Sequence, residues 1–218
     1  MTDYTQLDLI DHIHSYNLDV SNREVYILGE EFDREDNDEP GVDYRMANRL
    51  IKNLRILSSI SKEPILIHLK TCGGDYIEGM AIFDTICQCQ CPIIILSYTH
   101  ARSMSGIILQ AAKKRVLMPN SYFMYHGGTL EFKGDSKSVM SQVDFEKKVA
   151  DDYISILAKR VHKSDKYNED IDFMEVKEIL KNEMDKKGDV MLTAKEAVEM
   201  GLADEIFDGD WKRLKEIA

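Results

Sequence analysis

A serine stands at the junction between a strand-like and a helix-like run of apolar residues. Ser103 follows the run that begins at Ile93 and precedes the apolar run that ends at Ala112. At such a turn the hydroxyl is exposed and the next backbone N–H groups point toward it, which is how serine hydrolases pair a nucleophile with an oxyanion site. The sequence therefore predicts chemistry at Ser103. The alternative is that this serine only caps the helix, which is a common role for serine.

Two further motifs also end strand-like runs and could supply the other groups of a hydrolase. His126 closes the run 122–125, and an imidazole is the side chain best suited to accept a serine proton near neutral pH. Gly73 and Gly74 follow the run 65–69, and their lack of side chains lets backbone N–H groups approach a ligand. The alternatives are a structural histidine and an ordinary tight turn. The glycine pair lacks the lysine of a phosphate-binding loop, so the pattern does not indicate nucleotide binding.

Composition excludes several classes of partner. The chain has 218 residues and a formal net charge of −11, which opposes binding to nucleic acid or to anionic lipid. No apolar run approaches the roughly 20 residues that span a bilayer, and the N-terminus lacks the basic and apolar regions of a signal peptide. We therefore expect a soluble, cytoplasmic protein with no nucleic-acid or membrane partner.

The cysteines do not suggest a metal site or a disulfide. Cys87, Cys89 and Cys91 are separated by single residues, a spacing that suits neither a zinc knuckle nor a bond between neighbours. Cys72 precedes the glycine pair, but no histidine stands in a pattern that would activate it, so we interpret it as a packing residue. The sequence predicts reduced thiols, no metal and no cofactor.

Hydrophobic periodicity predicts strands that alternate with helices. The expected strands cover residues 23–28, 65–69, 93–96, 115–118 and 122–125, and the expected helices cover 44–57, 76–87, 104–112 and 136–161. A final helix is expected within 193–201, because Thr193 and Glu196 form a capping box and Gly201 suits the position after a helix. This alternation indicates an α/β fold with a largely parallel sheet and sites at the carboxyl ends of its strands.

The predicted organisation is a single domain over residues 1–218. It begins with an N-terminal segment, 1–21, and carries an acidic insertion at 30–43 that offers no apolar face. The long amphipathic helix lies in a handle region at 129–165, and a second polar insertion spans 163–172.

The order of the motifs resembles one known family, the proteolytic subunit of the Clp protease, from about residue 22 to 208. The resemblance rests on Gly73-Gly74, Ala101-x-Ser103-Met104, Met118-Pro119-Asn120-Ser121 followed by His126, and Leu192-Thr193-Ala194-x-Glu196-Ala197 followed by Gly201-Leu202-x-Asp204. It implies a Clp protease/crotonase-like α/β domain, built from repeated ββα and βαβ units, with a long helix protruding as a handle.

The resemblance also implies roles for individual residues. Ser103 would be the nucleophile, His126 the general base, and the backbone N–H groups of Gly74 and Met104 the oxyanion donors. Counting back along the chain from the helix that follows Leu192 assigns the orienting carboxylate to Asp185, with Asp189 as the alternative.

The activity implied is that of a serine endopeptidase that cleaves unfolded polypeptides inside an oligomeric chamber. Heptameric rings of identical subunits would stack in pairs into a tetradecamer, and an ATP-driven unfoldase would feed the chamber. The chain departs from the family pattern in four places: Thr99 and Ser105 stand where glycines are usual, Arg102 adjoins the serine, and Gly127-Gly128 replaces glutamine-proline. Ser105 is therefore a rival nucleophile.

Two other functions are compatible with the same motifs. A catalytically silent ring subunit would bind partners without reacting with serine reagents. A crotonase-like acyl-CoA enzyme would use the paired N–H groups to bind CoA thioesters, although it would not need the serine and histidine. The divergence of the chain fits an accessory paralogue or a viral origin equally.

Overall fold

The computed structural model describes residues 6–29, 39–128, 131–164, 166–167 and 171–216. The helices are α1 Gln6–Tyr16, α2 Tyr44–Ile60, α3 Tyr76–Cys87, α4 Met104–Gln110, α5 Ser136–Val161, α6 Phe173–Lys187, α7 Ala194–Glu199 and α8 Trp211–Leu214. The strands are β1 Leu18–Asp19, β2 Glu24–Leu28, β3 Ile65–Thr71, β4 Ile93–Arg102, β5 Lys114–Leu117, β6 Tyr122–Tyr125, β7 Val190–Thr193 and β8 Glu205–Ile206. The alternation of strands and helices confirms the predicted α/β class.

The eight strands form one sheet in the order β1-β2-β3-β4-β5-β8, and β6 and β7 branch from β4. Neighbours from β2 to β5 are parallel, as the helical crossovers between them require. The antiparallel pairs are β1 with β2 and β6 with β7. The second of these pairs lies beside the predicted site.

Strand β4 pairs with two different strands along one edge. Its first half, Ile94–Ser97, pairs with β5, whereas His100–Arg102 pairs with β6. The strand therefore extends six residues beyond the predicted end at 96 and ends immediately before Ser103. This division of the edge brings the end of β6 next to the serine.

Alternating side chains of the central strands pack on opposite faces of the sheet. Ile65, Ile67 and Leu69 of β3 join the main core against the helices, and Leu66 enters a smaller cluster with Phe207 on the other face. Burial on both faces explains why β3 and β4 each begin with a continuous apolar run, residues 65–67 and 93–96.

Helix α5 is a single helix with the predicted bounds, and Asp135 caps its first turn by accepting from the N–H groups of Lys137 and Ser138. Its buried residues all lie in the last third, from Ile154 to Val161. Met140 and Phe145 in the earlier turns are exposed. The first half of the helix therefore does not pack into the core.

The structure adds elements that the periodicity does not indicate, and some predicted segments are only partly described. Helix α1 and strand β1 fall within the N-terminal segment 1–21, and β7 and β8 are strands of only four and two residues. Residues 1–5, 30–38, 129–130, 165, 168–170 and 217–218 lie outside the described residues, and with them parts of the N-terminal segment, both insertions and the handle region. None of the helices in the described ranges combines the length and hydropathy needed to cross a bilayer.

A buried arginine connects the end of α4 to the last strand. Arg115 is 7% exposed, and its guanidinium donates to Gln110 Oε1 at 2.8 Å and to the Gly201 carbonyl at 2.7 Å. It also forms an ion pair with Asp204, whose carboxylate accepts from the Arg115 backbone N–H at 2.7 Å. Replacing this side chain would leave several polar groups without their donor.

We expect Arg115→Met to lower the free energy of unfolding by about 2 kcal/mol, because it leaves Gln110 Oε1 and the Gly201 carbonyl without their donor and removes the ion pair with Asp204. Urea denaturation monitored by circular dichroism measures this loss. The matched control is Lys195→Met. Lys195 is 81% exposed, and its Nζ comes no closer than 3.8 Å to the Glu199 carboxylate, so this surface ion pair contributes little. A loss for Arg115→Met no larger than that of the control would contradict a structural role for the arginine.

Candidate active site

The backbone at Ser103 adopts a conformation that non-glycine residues rarely take. Its φ is 53° and its ψ is −125°, directly after the last residue of β4. Ser103 occupies the N-cap position of α4, but its side chain makes no capping hydrogen bond. The hydroxyl is therefore not used for capping, which was the alternative interpretation from the sequence. Such strain often occurs at functional sites.

The hydroxyl of Ser103 contacts a ring nitrogen of His126. Ser103 Oγ and His126 Nε2 are 2.9 Å apart, a hydrogen-bond distance. The pairing of β4 with β6 produces this contact, because the Ser103 N–H donates to the Met124 carbonyl at 2.9 Å and His126 lies just beyond the end of β6. The structure thus brings together the two residues that the sequence analysis singled out.

The carboxylate beside the histidine belongs to Asp189. Asp189 Oδ1 is 3.3 Å from His126 Nδ1, and these two contacts together favour a proton on Nδ1 and a free lone pair on Nε2. Strand register explains the placement: Tyr125 is paired with Val190 in antiparallel strands, so His126 and Asp189 are the next residues on each side. The assignment of the carboxylate to Asp185 is corrected accordingly. Asp185 lies in α6 with an exposed side chain, and the ion pair of His126 is with Asp189.

A hydrogen bond ties the histidine segment to α6. The hydroxyl of Tyr125, which is fully buried, donates to Glu183 Oε2 at 2.9 Å, and Lys187 donates to the other oxygen of Glu183 at 3.1 Å. Burial alone would raise the pKa of Glu183, but the hydrogen bonds from Tyr125 and Lys187 outweigh it and lower the pKa. Because α6 leads into Asp189, this link fixes both sides of the His126 contact. No sequence pattern indicated it.

The glycine pair lies against the turn that carries the serine. Gly73 and Gly74 have φ values of 102° and 139°, which favour glycine. A Cβ placed on Gly73 would lie 2.8 Å from Ser103 Cβ and 3.1 Å from the Met104 backbone nitrogen. The N–H of Met104 starts a helix, where the first N–H groups have no partner within the helix. Gly73 therefore lies against Ser103 and Met104, and Gly74 lines the same cavity as these two residues.

A cavity of about 610 Å³ opens beside Ser103 and His126. Its walls are mainly apolar and come from α3, α5 and α6, including Tyr76, Val149, Tyr153 and Met184. Burial raises the pKa of Tyr76, and the carboxylates of Asp152 and Glu146 raise it further. The cavity can hold an extended apolar side chain next to the hydroxyl.

The other candidate groups are placed differently. Ser105, the rival nucleophile, is fully buried and donates its hydroxyl proton to the Thr71 carbonyl at 2.6 Å. The four cysteines are free thiols. No group of three or more histidine, cysteine, aspartate or glutamate side chains in the described part of the chain is arranged to hold a metal ion.

Comparison with known proteins points in one direction. A sequence model described as Clp protease matches residues 39–210, which is most of the chain. The ATP-dependent Clp protease proteolytic subunit of Deinococcus radiodurans is 28% identical over 170 residues, covering 77% of this chain and 76% of that protein. The ATP-dependent Clp protease proteolytic subunit 2 of Treponema denticola is 28% identical over 190 residues, covering 86% of this chain and 82% of that protein. Proteolytic subunit 3 of a Synechococcus strain is 30% identical over 168 residues, covering 74% of this chain and 76% of that protein.

Proposed function

Because the chain belongs to the Clp protease family, whose members are serine peptidases, we propose that it hydrolyses peptide bonds with the triad Ser103, His126 and Asp189. The observation that carries this proposal is the 2.9 Å contact between Ser103 Oγ and His126 Nε2 at a strained turn where the serine caps nothing. A catalytically silent subunit would have no need of this contact. A CoA-binding enzyme of the crotonase type would not need it either.

The mechanism follows from the hydrogen-bonding capacity of each group. Ser103 Oγ attacks the peptide carbonyl carbon while His126 Nε2 takes the hydroxyl proton, and the carbonyl π electrons move onto the oxygen. His126 then returns the proton to the leaving amine, which leaves an ester on Ser103. Water attacks this ester while His126 takes its proton, the bond between the carbonyl carbon and Ser103 Oγ then breaks, and His126 returns the proton to Oγ. Asp189 accepts from Nδ1–H of the imidazole throughout.

The negative charge on the tetrahedral intermediate is met by the backbone N–H groups of Gly74 and Met104. A donor of this kind typically contributes on the order of 3 kcal/mol to transition-state stabilisation. The apolar cavity beside the hydroxyl accepts the substrate side chain that precedes the cleaved bond. Burying such a side chain contributes about 1.5–3 kcal/mol, so we expect cleavage after large apolar residues.

The proposal extends to assembly and cellular context. The whole chain, 1–218, would fold as one domain whose exposed half of α5 packs against other copies, forming heptameric rings that stack into a tetradecamer. The exposed Met140 and Phe145 support a buried role for this half of the helix. The chamber would admit unfolded polypeptides delivered by an ATP-driven unfoldase in the cytoplasm. The relatives named above are themselves called subunits of ATP-dependent proteases.

The test combines a serine-reactive probe with a size measurement. The purified chain is treated with a fluorophosphonate, and its intact mass and native mass are recorded. Cleavage is measured in parallel on a short peptide and on one protein in two forms, folded and unfolded by alkylation. We expect one adduct per chain, a ring-sized particle, and cleavage of the peptide and the unfolded protein only. Absence of an adduct on a ring-sized particle would contradict the peptidase, whereas a monomer that digests the folded protein would contradict the chamber.

A further inference from the structure

A short backbone segment crosses the glycine pair from outside. We call residues 39–43 the strap; it precedes α2 and is the described end of the predicted acidic insertion. The Val42 N–H donates to the Gly73 carbonyl at 2.5 Å, and the Asp75 N–H donates to the Val42 carbonyl at 2.9 Å. The strap therefore pairs with Gly74 as an isolated parallel bridge.

The contact between strap and glycine pair is close enough to fix the position of Gly74. A Cβ placed on Gly74 would lie 2.3 Å from the Val42 nitrogen, and one on Gly41 would lie 3.2 Å from Gly74 Cα. No side chain fits between these two backbones. The direction of the Gly74 N–H thus depends on where the strap lies.

Glu39, the first residue of the strap, forms an ion pair with Lys70 and lies against the buried ring of His100. The Glu39 carboxylate lies 2.9 Å from Lys70 Nζ through one oxygen and 2.9 Å from His100 Nε2 through the other. The backbone carbonyls of Glu39 and Pro40 also accept from Cys72 Sγ and Thr71 Oγ1, at 3.4 and 3.1 Å. Glu39 therefore holds the strap to the ends of β3 and β4, the two strands that lead to Gly74 and Ser103.

The Glu39 carboxylate is surrounded by a buried histidine and by cationic side chains. His100 is 6% exposed, and burial lowers its pKa. The groups that face it are Glu39, the cations of Lys70 and Arg102, and the ring of Tyr122 at 5.5 Å. Glu39 is the one anion among these four. Removing the Glu39 carboxylate would cost the strap its ion pair with Lys70 and its contact with His100, so fewer contacts would hold its backbone in place.

We propose that Glu39 is a positioning residue for peptide hydrolysis: by latching the strap to Lys70 and His100, it aims the Gly74 N–H at the oxyanion. This inference rests on the proposed function, because it assigns a task to the proposed oxyanion donor. Glu39 does not touch the substrate. Its effect should therefore appear in the transition state and not in the binding of the substrate.

The experiment measures Glu39→Ala and Glu39→Gln for kcat and KM on a short peptide amide, and for inhibition by a peptide trifluoromethyl ketone. Ser103 Oγ adds to the ketone carbon, its proton passes to His126, and the ketone oxygen becomes an anion facing Gly74. Losing an oxyanion donor outright costs about 10²- to 10³-fold in kcat, so we expect misplacement in Glu39→Ala to cost about 10-fold, with KM within about twofold. The inhibition constant of the ketone should rise in parallel with the fall in kcat.

Two further variants keep the test sharp. Lys70→Met weakens the latch from the other side, and its effect should not add to that of Glu39→Gln in the double variant, because both remove one interaction. Glu199→Gln is the control. Glu199 is 58% exposed, and its carboxylate comes no closer than 3.8 Å to Lys195 Nζ, so this is a weak surface ion pair far along the chain from the strap. If Glu39→Ala does not assemble, Glu39→Gln and Lys70→Met decide the question, because both leave a long side chain at the position.

The outcomes separate this inference from the function beneath it. If the wild-type chain carries no probe adduct on Ser103, the proposed function fails. If the adduct forms but the Glu39 and Lys70 variants keep kcat and ketone inhibition within about twofold of wild type, the latch alone is overturned. A rise in KM with an unchanged kcat would also overturn it, since that result indicates substrate binding.

Discussion

Replacing Ser103 with alanine is expected to lower kcat for short-peptide hydrolysis by about 10⁴-fold or more, because no other group can form the acyl intermediate. The fluorophosphonate adduct should disappear in the same variant. The fold should persist, since the Ser103 side chain makes no capping hydrogen bond and its removal leaves helix α4 with the same backbone contacts. Intact mass, kcat and native mass measured on one preparation test all three statements.

The control for this prediction is the neighbouring serine. Ser105→Ala should keep the probe adduct, because the Ser105 hydroxyl is buried and donates to the Thr71 carbonyl at 2.6 Å. Loss of that hydrogen bond should appear instead as about 1 kcal/mol of stability. An adduct that survives in Ser103→Ala but vanishes in Ser105→Ala would show that Ser105, and not Ser103, is the nucleophile.

The sequence predicted the parts of the site that depend on local pattern. A strand-like run before Ser103 and another before His126 place both residues at carboxyl ends of parallel strands, where sites of α/β proteins occur. The pairing of β4 with β6 then brings them to 2.9 Å. Periodicity underestimated β4, however, because its second half, Tyr98–Arg102, is polar and is defined by its partner β6 and not by an apolar pattern.

The strap shows a second limit of sequence patterns. Residues 30–43 read as a solvated acidic loop because they offer no apolar face, yet Val42 is buried and paired with the glycine turn. Backbone hydrogen bonds between segments distant along the chain carry no periodic signal. The latch at Glu39 is invisible for the same reason, since it depends on Lys70 and His100 meeting across two strands.

The orienting carboxylate required strand register. Counting along the chain from Leu192 gave Asp185, but the position beside His126 is set across the antiparallel pair, where Tyr125 lies opposite Val190. β7 is only four residues long and begins three residues after α6 ends at Lys187, so its pairing could not be predicted from periodicity. Counting along the chain ranked Asp185 before Asp189, and the strand register places Asp189 beside His126 instead.

The two aspartates therefore provide a matched pair for the second prediction. Asp189→Asn should lower kcat by about 10²- to 10³-fold, because an amide in place of the carboxylate can donate to His126 Nδ1 and impose the wrong tautomer. We expect less than the roughly 10⁴-fold loss known for a buried triad aspartate, since Asp189 is 62% exposed and solvent screens its charge. Asp185→Asn should stay within about twofold, because Asp185 is an exposed residue of α6.

Measuring kcat for both variants at matched oligomer size distinguishes the two assignments. If Asp185→Asn falls while Asp189→Asn does not, the turn between α6 and β7 must rearrange when subunits assemble, so that α6 delivers its carboxylate to the histidine. If neither falls, His126 works as the base without an acidic partner, and the triad reduces to a dyad. If kcat falls in Asp189→Asn alone, and the probe adduct forms more slowly by the same factor, the pairing of β6 with β7 is what aligns His126 with its carboxylate.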